Sequence, residues 1–123
     1  MLNPEIKNEW IIALRSGDYK QGKSVLQSEH GTFCCLGVIC DILQKKGVVQ
    51  MTPDALNRKS YKLKIEVIGD DAILSDGIAQ YLGIDSDPIV HYFDMKWELS
   101  GLAALNDTGV SFAEIATLIE EQL

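Results

Sequence analysis

The sequence predicts a single α+β domain that is rich in helix, with a central apolar helix and a small antiparallel sheet. Apolar residues recur at helical spacing between capping residues in several segments, and one of these, FCCLGVICDILQKK, is apolar nearly all round. A further stretch, YKLKIEV, alternates strictly between apolar and charged residues. The 123 residues, 46% of them hydrophobic, are enough for one globular domain over 1–123.

Two helices are predicted in the N-terminal half. The first begins after the cap Asn3 and ends at Gly17, and its apolar positions share one face: Ile6, Trp10, Ala13 and Leu14. The second begins at or beside Thr32 and forms the centre of the core. Its glycine, Gly37, is expected to let a neighbour approach closely, and its interior charge, Asp41, needs a partner if it is buried.

The middle of the chain is predicted to carry most of the sheet. Residues 52–57 are expected to form a short helical turn, because Thr52 precedes Pro53 and Asp54. The alternating stretch 61–67 predicts a half-buried strand, with an inner face of Tyr61, Leu63, Ile65 and Val67. After a turn, residues 72–74 are expected to pair back on that strand as a hairpin.

The C-terminal half is predicted to hold three more helices and a strand. Ser75 caps the first of these helices, which ends at Gly83. Residues 89–93 are predicted to form a strand, and the apolar residues from Met95 to Ala103 a helix that ends in the turn NDTG. The last helix begins with a capping box and a hydrophobic staple, formed by Ser111 with Glu114 and by Val110 with Ile115.

The net charge of −7 is unevenly distributed. Residues 1–64 hold ten Lys/Arg against six Asp/Glu, whereas residues 65–123 hold one, Lys96, against twelve. Direct binding of nucleic acid by the C-terminal half is therefore unfavourable, and a basic partner would be attracted to it. The alternative is that the two halves fold against each other and partly neutralise their charges.

Residues 17–24, GDYKQGKS, match the phosphate-binding pattern GxxxxGK[ST]. That loop works between a buried strand and a full helix whose N-terminal amides face the phosphate. Here a helix is predicted to enter the loop, and Glu29, His30 and Gly31 interrupt any helix that leaves it. The match is therefore interpreted as a loop with glycines and solvated lysines.

Three cysteines lie close together in the central helix: Cys34, Cys35 and Cys40. We predict a cytoplasmic location without membrane contact for three reasons. The number of thiols is odd, the chain has no apolar run of membrane-spanning length, and its N-terminus has no signal-peptide pattern. The cysteines are interpreted as core thiols, the alternative being a nucleophilic Cys34 with His30 or His91 as base. The thiol spacing matches no zinc site, and Asp85 and Asp87 lack the other ligands of an EF-hand, so no metal or other cofactor is predicted.

Four segments together resemble a known family: ALRSGDYKQ (13–21), FCCLGVICD (33–41), LSDGIAQYLGI (74–84) and LAALNDTGVSFAEIATLIE (102–120). They are similar to segments of small uncharacterised proteins encoded mainly by phages and prophages, with the patterns ALRSGxYxQ, FCCLGVxCD and LNDxGxSFxEIAxxIE. The resemblance covers most of the chain except residues 48–73, and it implies no established activity. It also implies that the recurrent part of the loop is Arg15, Ser16, Gly17, Tyr19 and Gln21, without the GKS that completes the phosphate pattern.

These observations predict a non-enzymatic accessory protein of a phage or prophage that binds a host protein, such as a defence component, through an acidic surface. The candidate surface residues are Asp70, Asp71, Asp85 and Asp87. One alternative is a protein that sequesters a nucleotide or another small anion with Arg15, Tyr19, Lys20, Gln21 and Lys23, unless these only cap the helix and bond the loop backbone. Another alternative is a cysteine-dependent hydrolase on Cys34. The sequence predicts no oligomeric state.

Overall fold

The computed structural model describes residues 2–63, 65–66, 69–92 and 99–123. These residues form α1 Pro4–Ser16, α2 Cys35–Lys45, β1 Val49–Pro53, β2 Lys59–Leu63, α3 Asp76–Leu82, β3 Ile89–His91, β4 Leu99–Gly101, α4 Leu102–Asp107 and α5 Phe112–Gln122. The described strands make two antiparallel pairs, β1 with β2 and β3 with β4. The predicted α+β class is confirmed, although the sheet is two separate hairpins.

Helix α2 lies at the centre of the core, as predicted. Seven of its residues are buried, and it packs against α1, α4 and β1. Trp10 of α1 is fully buried, and its indole N–H donates to the carbonyl of Cys35 at 2.9 Å. A Cβ added to Gly37 would lie 1.8 Å from the carbonyl oxygen of Leu26, which confirms the close approach predicted at this glycine.

Three predicted helix starts and two predicted stops are confirmed by their capping geometry. The side chains of Asn3, Ser75 and Ser111 accept hydrogen bonds from backbone amides in the first turns of α1, α3 and α5. Gly17 and Gly83 end α1 and α3 in the left-handed conformation, with φ of 81° and 78°.

The predicted helical turn at 52–57 is wrong, because this segment completes a hairpin. Residues 51–53 belong to β1, which pairs with β2 in the register Met51↔Tyr61. The Asp54 carboxylate accepts the amide of Arg58 at 2.9 Å across the turn, and Asn57 takes a φ of 61°, which a short polar side chain tolerates. Thr52, Pro53, Asp54 and Asn57, which were predicted to form a helical turn, therefore belong to the hairpin.

The predicted pairing of residues 72–74 with the alternating strand is also wrong. On its other side β2 makes two single bridges, between Lys59 and Gln27 and between Tyr61 and Asp70, and residues 71–73 form bends. Of the predicted inner face, Tyr61 is buried but Ile65 is 89% exposed, because β2 ends at Leu63. Val67 lies outside the described residues.

The predicted strand at 89–93 is confirmed over Ile89–His91, and its residue 93 lies outside the described residues. The helix predicted from Met95 to the NDTG turn is wrong over Leu99–Gly101, which form β4, and Met95 lies outside the described residues. Helix α4 begins at Leu102, where the Asp87 carboxylate accepts the amide of Ala103 at 2.8 Å and thereby sets the start.

Candidate functional site

Arg15, the first polar residue of the segment that the sequence singles out, connects α1 to α5. Its guanidinium lies 3.3 Å from Oε1 of Glu120 and donates to the hydroxyl of Thr117 at 3.3 Å. All three side chains are exposed, so the pair contributes about 0–1 kcal/mol and leaves Arg15 at the surface.

Tyr19, Asp41 and Lys45 form a polar cluster beside α2. The Tyr19 hydroxyl donates to the Asp41 carboxylate, and the ammonium of Lys45 lies 3.0 Å from the same carboxylate oxygen. Burial raises the pKa of Tyr19, and the hydrogen bond to Asp41 and its charge raise it further. Asp41 therefore has the partners that its position in the central helix requires.

Both the nitrogen and the oxygen of the Gln21 carboxamide make hydrogen bonds. Its Nε2 donates to Oδ1 of Asn106 at 2.9 Å and to the carbonyl of Val110 at 2.8 Å, and its Oε1 accepts the amide of Phe112 at 3.2 Å. The side chain thus joins the loop after α1 to the turn between α4 and α5. These bonds use the groups with which Gln21 would hold a ligand.

Asn106 completes this arrangement from the inside, and the pair is called the Gln21–Asn106 node below. Asn106 is 0% exposed; its Oδ1 also accepts the amide of Cys35 at 3.2 Å, and its Nδ2 donates to the carbonyl of Gly22 at 2.7 Å. The sequence pointed to residue 106 only as part of a turn. Its inward orientation follows from contacts with residues more than 70 positions away.

The loop that matches the phosphate pattern has the context that the sequence predicts. Helix α1 enters it, and among the described residues the next helix begins at Cys35. The amide of Gly22 donates to a backbone carbonyl at 2.7 Å, and the amide of Ser24 donates to the Asp107 carboxylate at 2.8 Å. Two amides that would have to face a phosphate therefore bond protein oxygens, one of them anionic.

The five candidate anion-binding residues have different surroundings. Arg15, Tyr19 and Gln21 bond to other residues of the protein, as described above. Lys20 and Lys23 are exposed on the loop. The ammonium groups of these two lysines make no hydrogen bond to a described residue that would orient them. Two such groups are a weak basis for selecting one anion.

The three cysteines are packed in the core, each at most 1% exposed: Cys34, Cys35 and Cys40. Burial raises the pKa of Cys34 to about 11, and it raises the pKa of the other two thiols as well. His30 and His91 are exposed. Because the thiolate is the nucleophile, burial and a raised pKa disfavour nucleophilic chemistry at these thiols. In the described ranges no group of three or more His, Cys, Asp or Glu side chains is placed to hold a metal ion.

The four acidic candidates, Asp70, Asp71, Asp85 and Asp87, fall into two kinds. Asp70 accepts the amides of the residues two and three positions ahead, at 2.9 and 3.2 Å. Asp87 holds the start of α4, and burial raises its pKa. Asp85 is exposed after α3, and the half-buried Asp71 side chain bonds no other described residue. Asp70 and Asp87 therefore support the fold, whereas the carboxylates of Asp71 and Asp85 are available at the surface.

Helices α1 and α5 bring the basic and the acidic half of the chain into contact, but few ion pairs join the two halves in the part of the chain that the structure describes. Among the described residues one salt bridge, Arg15–Glu120, joins residues 1–64 to residues 65–123. The other Lys or Arg salt bridges of the described residues lie within the N-terminal half: Asp41–Lys45, Glu9–Lys46 and Asp54–Arg58. Of the nine described Lys/Arg side chains in residues 1–64, three pair with acids of the same half: Lys45, Lys46 and Arg58.

A groove of about 460 Å³ lies beside β3, and no motif in the sequence indicated it. It is lined by the end of α3, the segment Gly83–Asp85, Pro88, Ile89 and Leu123. Beyond it, the side-chain amide of Gln122 accepts the N–H of His91 and donates to the carbonyl of His91, both at 2.8 Å. Ile89, between Pro88 and this contact, is 51% exposed.

These observations define a small α+β protein with an acidic C-terminal half, buried thiols and a groove at a strand edge. The family model described as Domain of unknown function (DUF8296) matches residues 2–123, and the chain belongs to this family. No curated protein and no solved structure matches it. Over the residues described, no helix combines the length and apolar character needed to cross a membrane.

Proposed function

We propose that the protein is a non-enzymatic accessory protein of a phage or prophage, and that its acidic C-terminal half captures a basic host protein, such as a defence component. The observation that carries the proposal is the separation of charge. Residues 65–123 hold twelve acids against one lysine, and in the described part of the chain a single salt bridge connects them to the basic half. The negative balance of this half would attract a basic partner.

The burial of the thiols supports a role without thiol chemistry. A thiol whose pKa is about 11, as at Cys34, is almost entirely protonated at neutral pH. The bonded amides of the phosphate-pattern loop likewise favour a protein partner over a nucleotide. Host proteins that handle nucleic acid carry basic surfaces, and they present the charge that this surface would select.

The proposal is tested by capture from a lysate of infected host cells on the immobilised protein, with bound proteins quantified by mass spectrometry. The test variant replaces Asp71 and Asp85 by Asn and Glu121 by Gln, three acids whose carboxylates bond no other described residue. Asp70 and Asp87 are kept, because they hold backbone amides. We expect a basic protein to be captured by the wild type and lost from the variant.

The control variant removes three acids of the N-terminal half, Glu5→Gln, Asp18→Asn and Glu29→Gln, and so changes the net charge by the same amount. It should capture the same protein as the wild type, because these acids lie in the half with the positive balance. Equal capture by all three proteins, or capture of no basic protein, would refute the proposal. Calorimetric titration with nucleotides tests the rival function, and heat of binding in that titration would also contradict the proposal.

A further inference from the structure

We propose that the outer edge of β3 is a strand-addition site, at which an extended basic segment of the partner pairs with Ile89 and lies in the adjacent groove. The basic character of this segment rests on the proposed function. The pairing itself is inferred from the backbone geometry of β3.

The free edge of β3 follows from its pairing with β4. Val90 pairs with Ser100, and the carbonyl of Pro88 accepts the amide of Leu102 at 2.9 Å, so the backbone groups at 88 and 90 face β4. In an antiparallel pair, successive residues direct their backbone groups to opposite sides. The N–H and C=O of Ile89 therefore point away from β4, together with those of His91.

The side chain of Gln122 already bonds the His91 end of this edge. A side-chain carboxamide carries the same donor and acceptor as a peptide group. The Gln122 carboxamide accepts from and donates to His91 at 2.8 Å in each bond, which is the two-bond pattern of a neighbouring strand. No described residue makes the corresponding bonds to Ile89 outside the β3–β4 pair.

The groove provides the space that an added strand needs. Its volume of about 460 Å³ lies within the range of about 300–1,000 Å³ that is typical of ligand clefts. Ile84 and Ile89 supply an apolar lining, and Ile89 is 51% exposed. In strand addition the backbone bonds give affinity and alternate side chains of the segment fill such a groove.

Charge selects a basic segment over a second copy of this chain. Asp85 lines the groove, and Glu121 is exposed one residue before the Gln122 that covers His91. Two copies that paired through this edge would bring their acidic halves together, and like charges in close contact oppose association. An extended segment that contains lysine offers backbone groups to pair with Ile89 and positive charges that complement Asp85 and Glu121.

The test uses fluorescence anisotropy with a short labelled peptide in which lysine and valine alternate. We expect it to bind the whole chain, and we expect N-methylation of its alternate amides to weaken binding about tenfold or more, since hydrogen bonds are lost at constant charge. Ile89→Pro removes the outward N–H and should weaken binding about fivefold, whereas Ile89→Val keeps it and should not.

Gln122→Ala gives the sharpest readout, because it removes a competitor rather than a contact. It exposes the N–H and C=O of His91, so the unmethylated peptide should bind about fivefold more tightly, and the N-methylated peptide should not gain. A merely structural role of Gln122 would lower binding or leave it unchanged, and either result overturns the inference. Circular dichroism of each variant checks that the fold is kept.

The outcomes separate this inference from the proposed function. If both peptides bind equally and Asp85→Asn with Glu121→Gln weakens both, strand addition is refuted while capture by acidic charge stands. If neither peptide binds at about 1 mM, strand addition is again refuted, and the lysate experiment alone decides the proposed function. Dimerisation with rising concentration that Ile89→Pro abolishes would also overturn the inference, because the edge would then serve a second copy.

Discussion

Replacement of Asn106 by alanine should destabilise the protein strongly, because its buried side chain bonds Gln21, Gly22 and Cys35. The change leaves the amide of Cys35 and the carbonyl of Gly22 without their partner in a region where Asn106 is 0% exposed. Each buried polar group left unbonded costs about 1–3 kcal/mol, so we expect a loss of about 2–5 kcal/mol. That is a large share of the roughly 5–15 kcal/mol by which a domain of this size is stable.

The measurement is urea unfolding followed by tryptophan fluorescence, to which the fully buried Trp10 contributes. With a slope of about 1–3 kcal/mol per molar urea, the midpoint should fall by about 1–2 M. The control is Asn8→Ala, the same chemical change at an exposed position of α1, which should alter the unfolding free energy by no more than about 0.5 kcal/mol.

A double-mutant cycle tests whether the Gln21–Asn106 node acts as a unit. Gln21→Ala should also destabilise, because it removes the bonds to Val110 and Phe112. The loss in the double variant should be smaller than the sum of the single losses, since the two residues share a hydrogen bond. If Asn106→Ala lowers the unfolding free energy by less than about 1 kcal/mol, the hydrogen bonds of Asn106 do not have the predicted importance. Strict additivity of the two single losses would show that Gln21 and Asn106 do not act as a unit.

Three further predictions follow from individual contacts. Gly37→Ala should lower the melting temperature, with a cost of about 1–3 kcal/mol or more, because its Cβ would meet the Leu26 carbonyl; the usual helical gain of about 1 kcal/mol would contradict this. Glu66 is partly desolvated, but hydrogen bonds from Ser75 and from two backbone amides hold its pKa below the ordinary 4.5. The stabilisation by the ionised Glu66 is therefore present above pH 4.5 and lost as the pH falls through the folded-state pKa. In the Glu66→Gln variant the melting temperature should fall less steeply as the pH is lowered. An unchanged slope of melting temperature against pH would contradict this role of Glu66. The buried cysteines should react with Ellman's reagent about 100-fold more slowly in the native protein than in urea, and one fast thiol in the native state would contradict their assignment to the core.

The elements that the sequence predicts correctly are those whose signals are local. Asn3, Ser75 and Ser111 cap helices through amides no more than three residues away, and Gly17 and Gly83 stop them by their own conformation. The hairpin β1–β2 was missed, although its turn is local, because Thr52, Pro53 and Asp54 were interpreted as the start of a helical turn. Periodicity does not identify the partner of the alternating strand, which tertiary contacts decide, and only residues 72–74 were predicted to pair with it.

The candidate site was predictable only in part for the same reason. The sequence indicates that Asp41 needs a partner, but it does not identify Tyr19. Gln21 was selected as a residue that core packing does not explain, and its bonds run to Asn106, 85 positions away. The contact between His91 and Gln122 spans 31 positions and has no motif, so the strand edge became visible only in the folded chain.

The most direct test of the central claim, that the acids of the C-terminal half carry the binding function, is the salt dependence of the affinity for a purified captured host protein. The dissociation constant should rise steeply with NaCl for the wild type and for the Glu5→Gln, Asp18→Asn, Glu29→Gln control, since exposed charges are screened at higher ionic strength. The Asp71→Asn, Asp85→Asn, Glu121→Gln variant should bind more weakly at low salt and with a shallower slope. Identical slopes for the three proteins would contradict the account.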